Sequence, residues 1–131
     1  MDKRLLIVDD ETSLLTLLKD QFEALSDFDV VTASSAEDAL QILNKKRYPI
    51  IITDLKMPDM TGLELCKKVR ETNPISHIIA MTGFQDFFEL KNCRAEGFDD
   101  YFKKPFEFSA LLEEVKSAHR KMNRWDEMLS E

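Results

Sequence analysis

Glycine is scarce in this chain of 131 residues, at three, and proline numbers four, which excludes fibrous repeats and low-complexity classes. Cysteine is rarer still. Cys66 and Cys93 are the only two, they lie far apart in segments with helical spacing, and they fit no metal or redox motif. They are expected to be reduced thiols packed as small hydrophobes. Long hydrophobic runs are missing too. After Met1-Asp2-Lys3-Arg4 the apolar stretch Leu5 to Val8 ends at two acids, too short for a signal peptide or a membrane span. The expectation is a cytoplasmic protein without membrane association. Positive charge is in deficit, with 18 Lys and Arg against 25 Asp and Glu and a net charge of −7. No sequence-independent attraction to nucleic acid or anionic lipid follows, so any DNA binding would come from a partner or a further domain. What the chain does have is 44% apolar and 33% charged residues, the balance of one globular domain. A chain of this length buries roughly two thirds of its unfolded surface, enough for a core without staples.

Five short apolar runs recur: Leu5 to Val8, Val30 to Thr32, Ile50 to Thr53, Ile78 to Thr82, and the weaker Tyr101-Phe102. Uninterrupted runs of this length suit strands buried on both faces. Between them lie helical stripes. Leu14, Leu15, Leu18, Phe22 and Leu25 form the first, and Ala39, Leu40 and Leu43 the second, with Ser34 and Glu37 spaced as a capping box at its start. Leu63, Leu65, Cys66 and Val69 follow Gly62, Asp86 to Glu96 is the fourth helix, and Leu111, Leu112 and Val115 mark the fifth. Alternating strands and helices predict an α/β fold, a doubly wound five-stranded parallel sheet with five helices on both faces. In such sheets ligands bind beyond the carboxyl ends of the strands, where strand order reverses.

Those carboxyl ends carry Asp9 and Asp10, Asp54, Thr82-Gly83, and Lys104-Pro105. An Asp after a strand is commonly a turn or cap residue, a Thr there is ordinary, and a Lys before Pro is commonly a solvated charge. Gathered at one edge they mean more. Three neighbouring carboxylates repel one another unless a cation neutralises them, which points to a hard divalent ion such as Mg²⁺ with oxygen ligands. Mg²⁺ shares its coordination readily with a phosphate, for which Lys104 supplies a charge and Thr82 a donor.

The ordered set Asp9-Asp10, Thr53-Asp54-Leu55-Lys56-Met57-Pro58-Asp59-Met60-Thr61-Gly62, Thr82-Gly83 and Tyr101-Phe102-Lys103-Lys104-Pro105-Phe106 resembles the receiver domain of two-component response regulators. The likeness spans roughly residues 3 to 119. It implies a flavodoxin-like sheet of order 2-1-3-4-5, with residues 1–119 as the receiver and 120–131 as an extension of the fifth helix or the start of a linker. It also implies that Asp54 accepts a phosphoryl group from a sensor histidine kinase or phosphotransfer protein. Asp10 would hold Mg²⁺ directly, Asp9 through a water, and Asp54 and the Lys56 carbonyl would complete the protein ligands. Thr82 and Lys104 would contact phosphoryl oxygens, and Pro105 would follow a cis bond. Pro58 and Gly62 would shape the turn into the third helix, and Gly83 would leave the phosphoryl group an open path.

The resemblance makes Tyr101 a switch aromatic that fills space vacated when Thr82 moves; the plain alternative is a half-buried strand tyrosine. The signal would then leave through the face of helix 4, strand 5 and helix 5, toward an output domain or downstream protein. Phe84, Phe87 and Phe88 crowd the start of the fourth helix, and one of them is a candidate for that face. Phe84 and Lys56 would flank the pocket and slow hydrolysis, because neither accepts a proton from water. At the C-terminus Leu111, Val115, Ala118, Met122, Trp125 and Leu129 recur as a short heptad seam, which allows a homodimer or a domain-linking helix. Lys116, Arg120, Lys121 and Arg124 are expected near the helix end, where cations favour the dipole. His77 and His119 read as structural or solvated.

Three other readings compete. A phosphohydrolase with an aspartyl-phosphate intermediate would want an acid two residues after Asp54, where Lys56 stands. A flavin carrier would want Gly, Ser and Thr donors after Val8, where acids stand. A receiver-like module that binds partners without phosphorylation would not need the intact set. No segment resembles a helix-turn-helix, cyclase or kinase output module, and the expected chemistry is self-phosphorylation and self-dephosphorylation rather than turnover of an external substrate.

Overall fold

The computed structural model describes residues 2–83 and 87–130. Strands and helices alternate along the chain: β1 Arg4–Val8, α1 Thr12–Leu25, β2 Asp29–Ala33, α2 Ala36–Lys45, β3 Ile50–Asp54, α3 Gly62–Thr72, β4 His77–Thr82, α4 Phe87–Glu96, β5 Asp100–Lys103 and α5 Phe108–Leu129. The sheet has the order β2-β1-β3-β4-β5, every pairing parallel. Parallel neighbours need crossovers, and the helices supply them on both faces.

The apolar runs of β1, β3 and β4 are continuous because these central strands bury both faces. The edge strand β5, read from Tyr101-Phe102 as buried on both faces, instead has no fully buried residue, because nothing pairs beyond it. Leu6, Val8, Ile51, Ile78 and Ala80 point to one core with Ala39 of α2, Leu65 and Val69 of α3, and Cys93 of α4. Leu5, Ile7, Ile52, Ile79 and Met81 point to the other, against Leu15, Leu18 and Phe22 of α1 and Leu111, Val115 and Ala118 of α5. Cys66 and Cys93 are buried and carry no disulfide, as expected.

Several local readings shift. The cap of α2 is Ser35, whose side chain accepts from the Asp38 N–H, one residue beyond the Ser34 and Glu37 pair. Ser34 instead donates to the Asp38 carboxylate. The reciprocal capping box belongs to α3, between Thr61 and Glu64. Thr61→Ala is therefore expected to cost about 1 kcal/mol in urea unfolding, with no loss of fold. Helix α5 runs on to Leu129, so its last turn holds no basic residue and Lys116 to Arg124 lie too far upstream to favour the dipole there. Helix α4 ends at Gly97, whose φ of +100° suits glycine, with the Phe98 N–H donating to the Cys93 carbonyl.

Candidate functional site

Strand order reverses between β2 and β3 around β1, which opens a crevice past the strand ends. The chain places Asp9 one residue past β1, Asp54 as the last residue of β3, Thr82 as the last of β4 and Lys104 one past β5. Asp9 is fully buried, Asp54 and Thr82 are nearly so, and Asp10 is exposed at the rim. Carboxylate oxygens of Asp9, Asp10 and Asp54 lie within 4.8 Å of one another, close enough to share one ion.

Lys104 reaches into this cluster from β5. Its Nζ donates to Asp9 Oδ2 at 2.7 Å and lies 3.6 Å from Asp54 Oδ2, bridging two carboxylates. The backbone fixes its root, since the Lys104 N–H donates to the Thr82 carbonyl at 2.7 Å and the Lys104-Pro105 bond is cis. Asp9 is anchored on its other oxygen, which accepts from the Glu11 N–H at 2.9 Å. Burial pushes the Asp54 carboxyl up to about 6, and the Asp9 charge adds to the rise while Lys104 offsets part of it. For Lys104, burial favours loss of the proton, but the Asp9 hydrogen bond and the Asp54 charge outweigh it and raise its affinity for the proton.

The turn after β3 positions Asp54. A Cβ on Gly62 would sit 2.2 Å from the Asp54 carbonyl oxygen, so the start of α3 packs directly on the acceptor strand. The Gly62 N–H donates to the Leu55 carbonyl, and the Leu55 N–H to the Met81 carbonyl of β4. Pro58 and Lys56 are exposed in this loop, Lys56 two residues past Asp54. Asp59, not singled out from sequence, adopts a left-handed backbone with φ 70°; its place after Pro58 in a turn is the signal that could have marked it. A Cβ on Gly83 would meet nothing within 4 Å among the described residues. Pro105 is exposed.

Tyr101 is not in the pocket. It pairs with Ala80 across the sheet, and its side chain is 49% exposed, about what the plain alternative of a half-buried strand tyrosine expects. Phe84 and the side chains of Phe87 and Phe88 lie outside the described residues, as does Asp86. His77 and His119 stand apart from the cluster of Asp9, Asp10 and Asp54. His77 Nε2 lies 2.8 Å from Glu114 at the far edge of the sheet, and His119 packs edge-on against Phe28. Arg70 of α3 ties that far edge together through the Gly97 carbonyl and the Asp99 carboxylate. Among the described residues no helix is long and apolar enough to cross a membrane.

A doubly wound sheet with an acid cluster and a lysine at its switch point defines a class of phosphate-handling α/β domains, and comparison narrows it. The sequence profile described as the response regulator receiver domain matches residues 5–116. The chain is 35% identical over 121 residues to the alkaline phosphatase synthesis transcriptional regulatory protein PhoP of Bacillus subtilis, covering 92% of this chain and 50% of that one. It is 34% identical over 118 residues to the heme response regulator HssR of Staphylococcus saprophyticus, covering 90% and 52%. A receiver domain protein of Methanospirillum hungatei superposes with a TM-score of 0.89 at 30% identity, over 95% of this chain and 98% of that one. The chain belongs to the receiver-domain family of two-component response regulators. It spans about half the length of the curated relatives it matches.

Proposed function

We propose that Asp54 accepts a phosphoryl group from the phosphohistidine of a sensor kinase or phosphotransfer protein. The observation that carries this is the bridge from Lys104 to both Asp9 and Asp54 beside the exposed Asp10. One Asp54 oxygen attacks phosphorus, the oxygen–phosphorus bond forms as the phosphorus–nitrogen bond breaks, and the electron pair leaves on the imidazole, which takes up a proton. Positioning and charge stabilisation are the protein's share of this loose transfer. Asp54 must be ionised to attack, and the cationic Lys104 favours that form.

An all-oxygen, partly exposed cluster of Asp9, Asp10 and Asp54 fits Mg²⁺, which Asp10, Asp54 and the Lys56 carbonyl would hold directly and Asp9 through a water. When bound, the ion would neutralise charge on the acids and on the transferred group. Thr82 donates its hydroxyl to a phosphoryl oxygen, and Lys104 turns from Asp9 to pair with another. The outcome is a two-state bias. Thr82 shifts toward the new group, Tyr101 turns inward from its exposed position, and the face formed by α4, β5 and α5 changes for an output domain or downstream protein. Residues 1–119 are the receiver and 120–131 an extension of α5. The domain works in the cytoplasm, touches no nucleic acid itself, and turns over no substrate beyond its own acyl phosphate.

Acetyl phosphate or phosphoramidate with Mg²⁺ is expected to add one phosphoryl group by intact mass. EDTA or Asp54→Asn is expected to abolish it. An adduct unchanged in Asp54→Asn would remove the acceptor assignment, and no adduct under any donor would favour a phosphorylation-independent module.

A further inference from the structure

The core-facing stripe of α5 does not stop where the core stops. Leu111, Val115 and Ala118 are buried against the sheet, and no residue of α5 beyond Ala118 is buried. The stripe nonetheless continues through Met122, half-buried at the edge of that core, to Trp125 and Leu129 at the same spacings of four and three. Trp125 is 70% exposed and Leu129 78%, and Met128 beside them is also exposed. Across from this tail the loop before β4 presents Ile75, itself 72% exposed. Between loop and tail runs an open groove of about 470 Å³ whose apolar lining is Pro74, Ile75, Ala118, Met122, Trp125 and Leu129, with charged side chains including Lys121 and Asp126 beside them. A tryptophan, a leucine and an isoleucine left together in water are costly to a monomer.

We infer that this groove receives the α5 tail of a second copy, the two tails lying antiparallel so that each seats its Trp125 and Leu129 in the other's groove. The tail is its own complement in charge. Lys116, Arg120, Lys121 and Arg124 make its first half basic, and Asp126 and Glu127 make its end acidic. Antiparallel pairing sets each basic half beside the other copy's acidic end, whereas parallel pairing sets like beside like. Steric reasons agree. The stripe faces the same way as Leu111 to Ala118, toward the sheet. A parallel partner's first half would therefore need the space that the sheet fills, while an antiparallel partner keeps its own domain beyond the far end. Apolar residues at this spacing with flanking charges are the ordinary means by which short helices choose partner and orientation.

The contact is independent of the phosphoacceptor reading. Helix α5 starts near Lys104 and runs back along the sheet, so the groove opens by His77 at the start of β4, at the edge opposite Asp54. Sedimentation equilibrium of the 131-residue chain across a concentration series tests it. A concentration-dependent dimer is expected, weakened at least about tenfold by Trp125→Ala or by Leu129→Glu, and unchanged by Asp54→Asn. Both tail variants should keep the parent circular dichroism, because neither position is in the core. Asp126→Lys with Glu127→Lys should weaken the dimer, and adding Arg120→Glu with Lys121→Glu should restore it. A monomer at every concentration, a dimer indifferent to Trp125 and Leu129, or a charge reversal that fails to restore association would overturn the inference.

Discussion

Asp54→Asn is expected to stabilise the metal-free protein by on the order of 2–3 kcal/mol at neutral pH, an unusual result for replacing a buried polar residue. The cause is electrostatic. Burial and the Asp9 charge raise the Asp54 carboxyl from 3.8 to about 6 in the folded chain, and each pKa unit is worth about 1.4 kcal/mol. A folded-state pKa above the unfolded one means that the native state holds the proton more tightly. The group's stabilising contribution is therefore fully present below about pH 4 and is lost as pH rises through about 6. Asparagine carries no such dependence. The advantage of Asp54→Asn should be absent below pH 4, grow between 4 and 6 and level off above. Mg²⁺ should narrow the gap by stabilising the parent chain alone. Urea unfolding at a series of pH values checks it, and a gap that does not vary with pH would refute the electrostatic origin.

Gly62→Ala is expected to lose on the order of 3 kcal/mol of stability and to lower the midpoint of thermal unfolding by roughly 10 °C. The reason is contact, not conformation. Gly62 has no left-handed φ, but its Cβ position lies 2.2 Å from the Asp54 carbonyl oxygen and 3.0 Å from Leu55 Cα, both backbone atoms that cannot swing aside. Either α3 slides away from β3 or the acceptor strand bends. In both cases phosphorylation should slow along with the fall in stability. Gly83→Ala is the control, since a Cβ there meets nothing among the described residues. Equal midpoints for Gly62→Ala and the parent chain would mean that the approach of α3 to Asp54 is looser than described.

The strands were legible because a parallel sheet buries both faces, so Ile50, Ile51 and Ile52 read as one run rather than as an alternation. The site was legible for a related reason. Ligand groups in this topology collect at strand ends, and Asp9, Asp54, Thr82 and Lys104 each end or follow a strand. Pairing was not legible. That Lys104 bonds to Asp9 depends on side-chain reach from the end of β5 past β4 and β3 to β1, which no local pattern encodes. The cap of α2 was misplaced by one residue because Ser34 and Ser35 are both good caps with an acid three residues on. Backbone geometry alone chooses Ser35. Asp59 was missed because a left-handed residue after Pro58 leaves only a weak turn signal. The length of α5 was uncertain because its stripe outlasts its core, which sequence periodicity cannot distinguish from burial.

Borohydride reduction of the phosphorylated protein, followed by peptide mapping, is the most direct measurement. An acyl phosphate on aspartate is reduced to homoserine, which marks the residue that carried the group. The expected result is homoserine at position 54 alone, formed only after treatment with a phosphoryl donor and Mg²⁺. Homoserine at position 9 or 10, or a phosphoryl group that resists borohydride because it sits on a hydroxyl such as that of Thr82, would contradict the assignment of Asp54 as the acceptor.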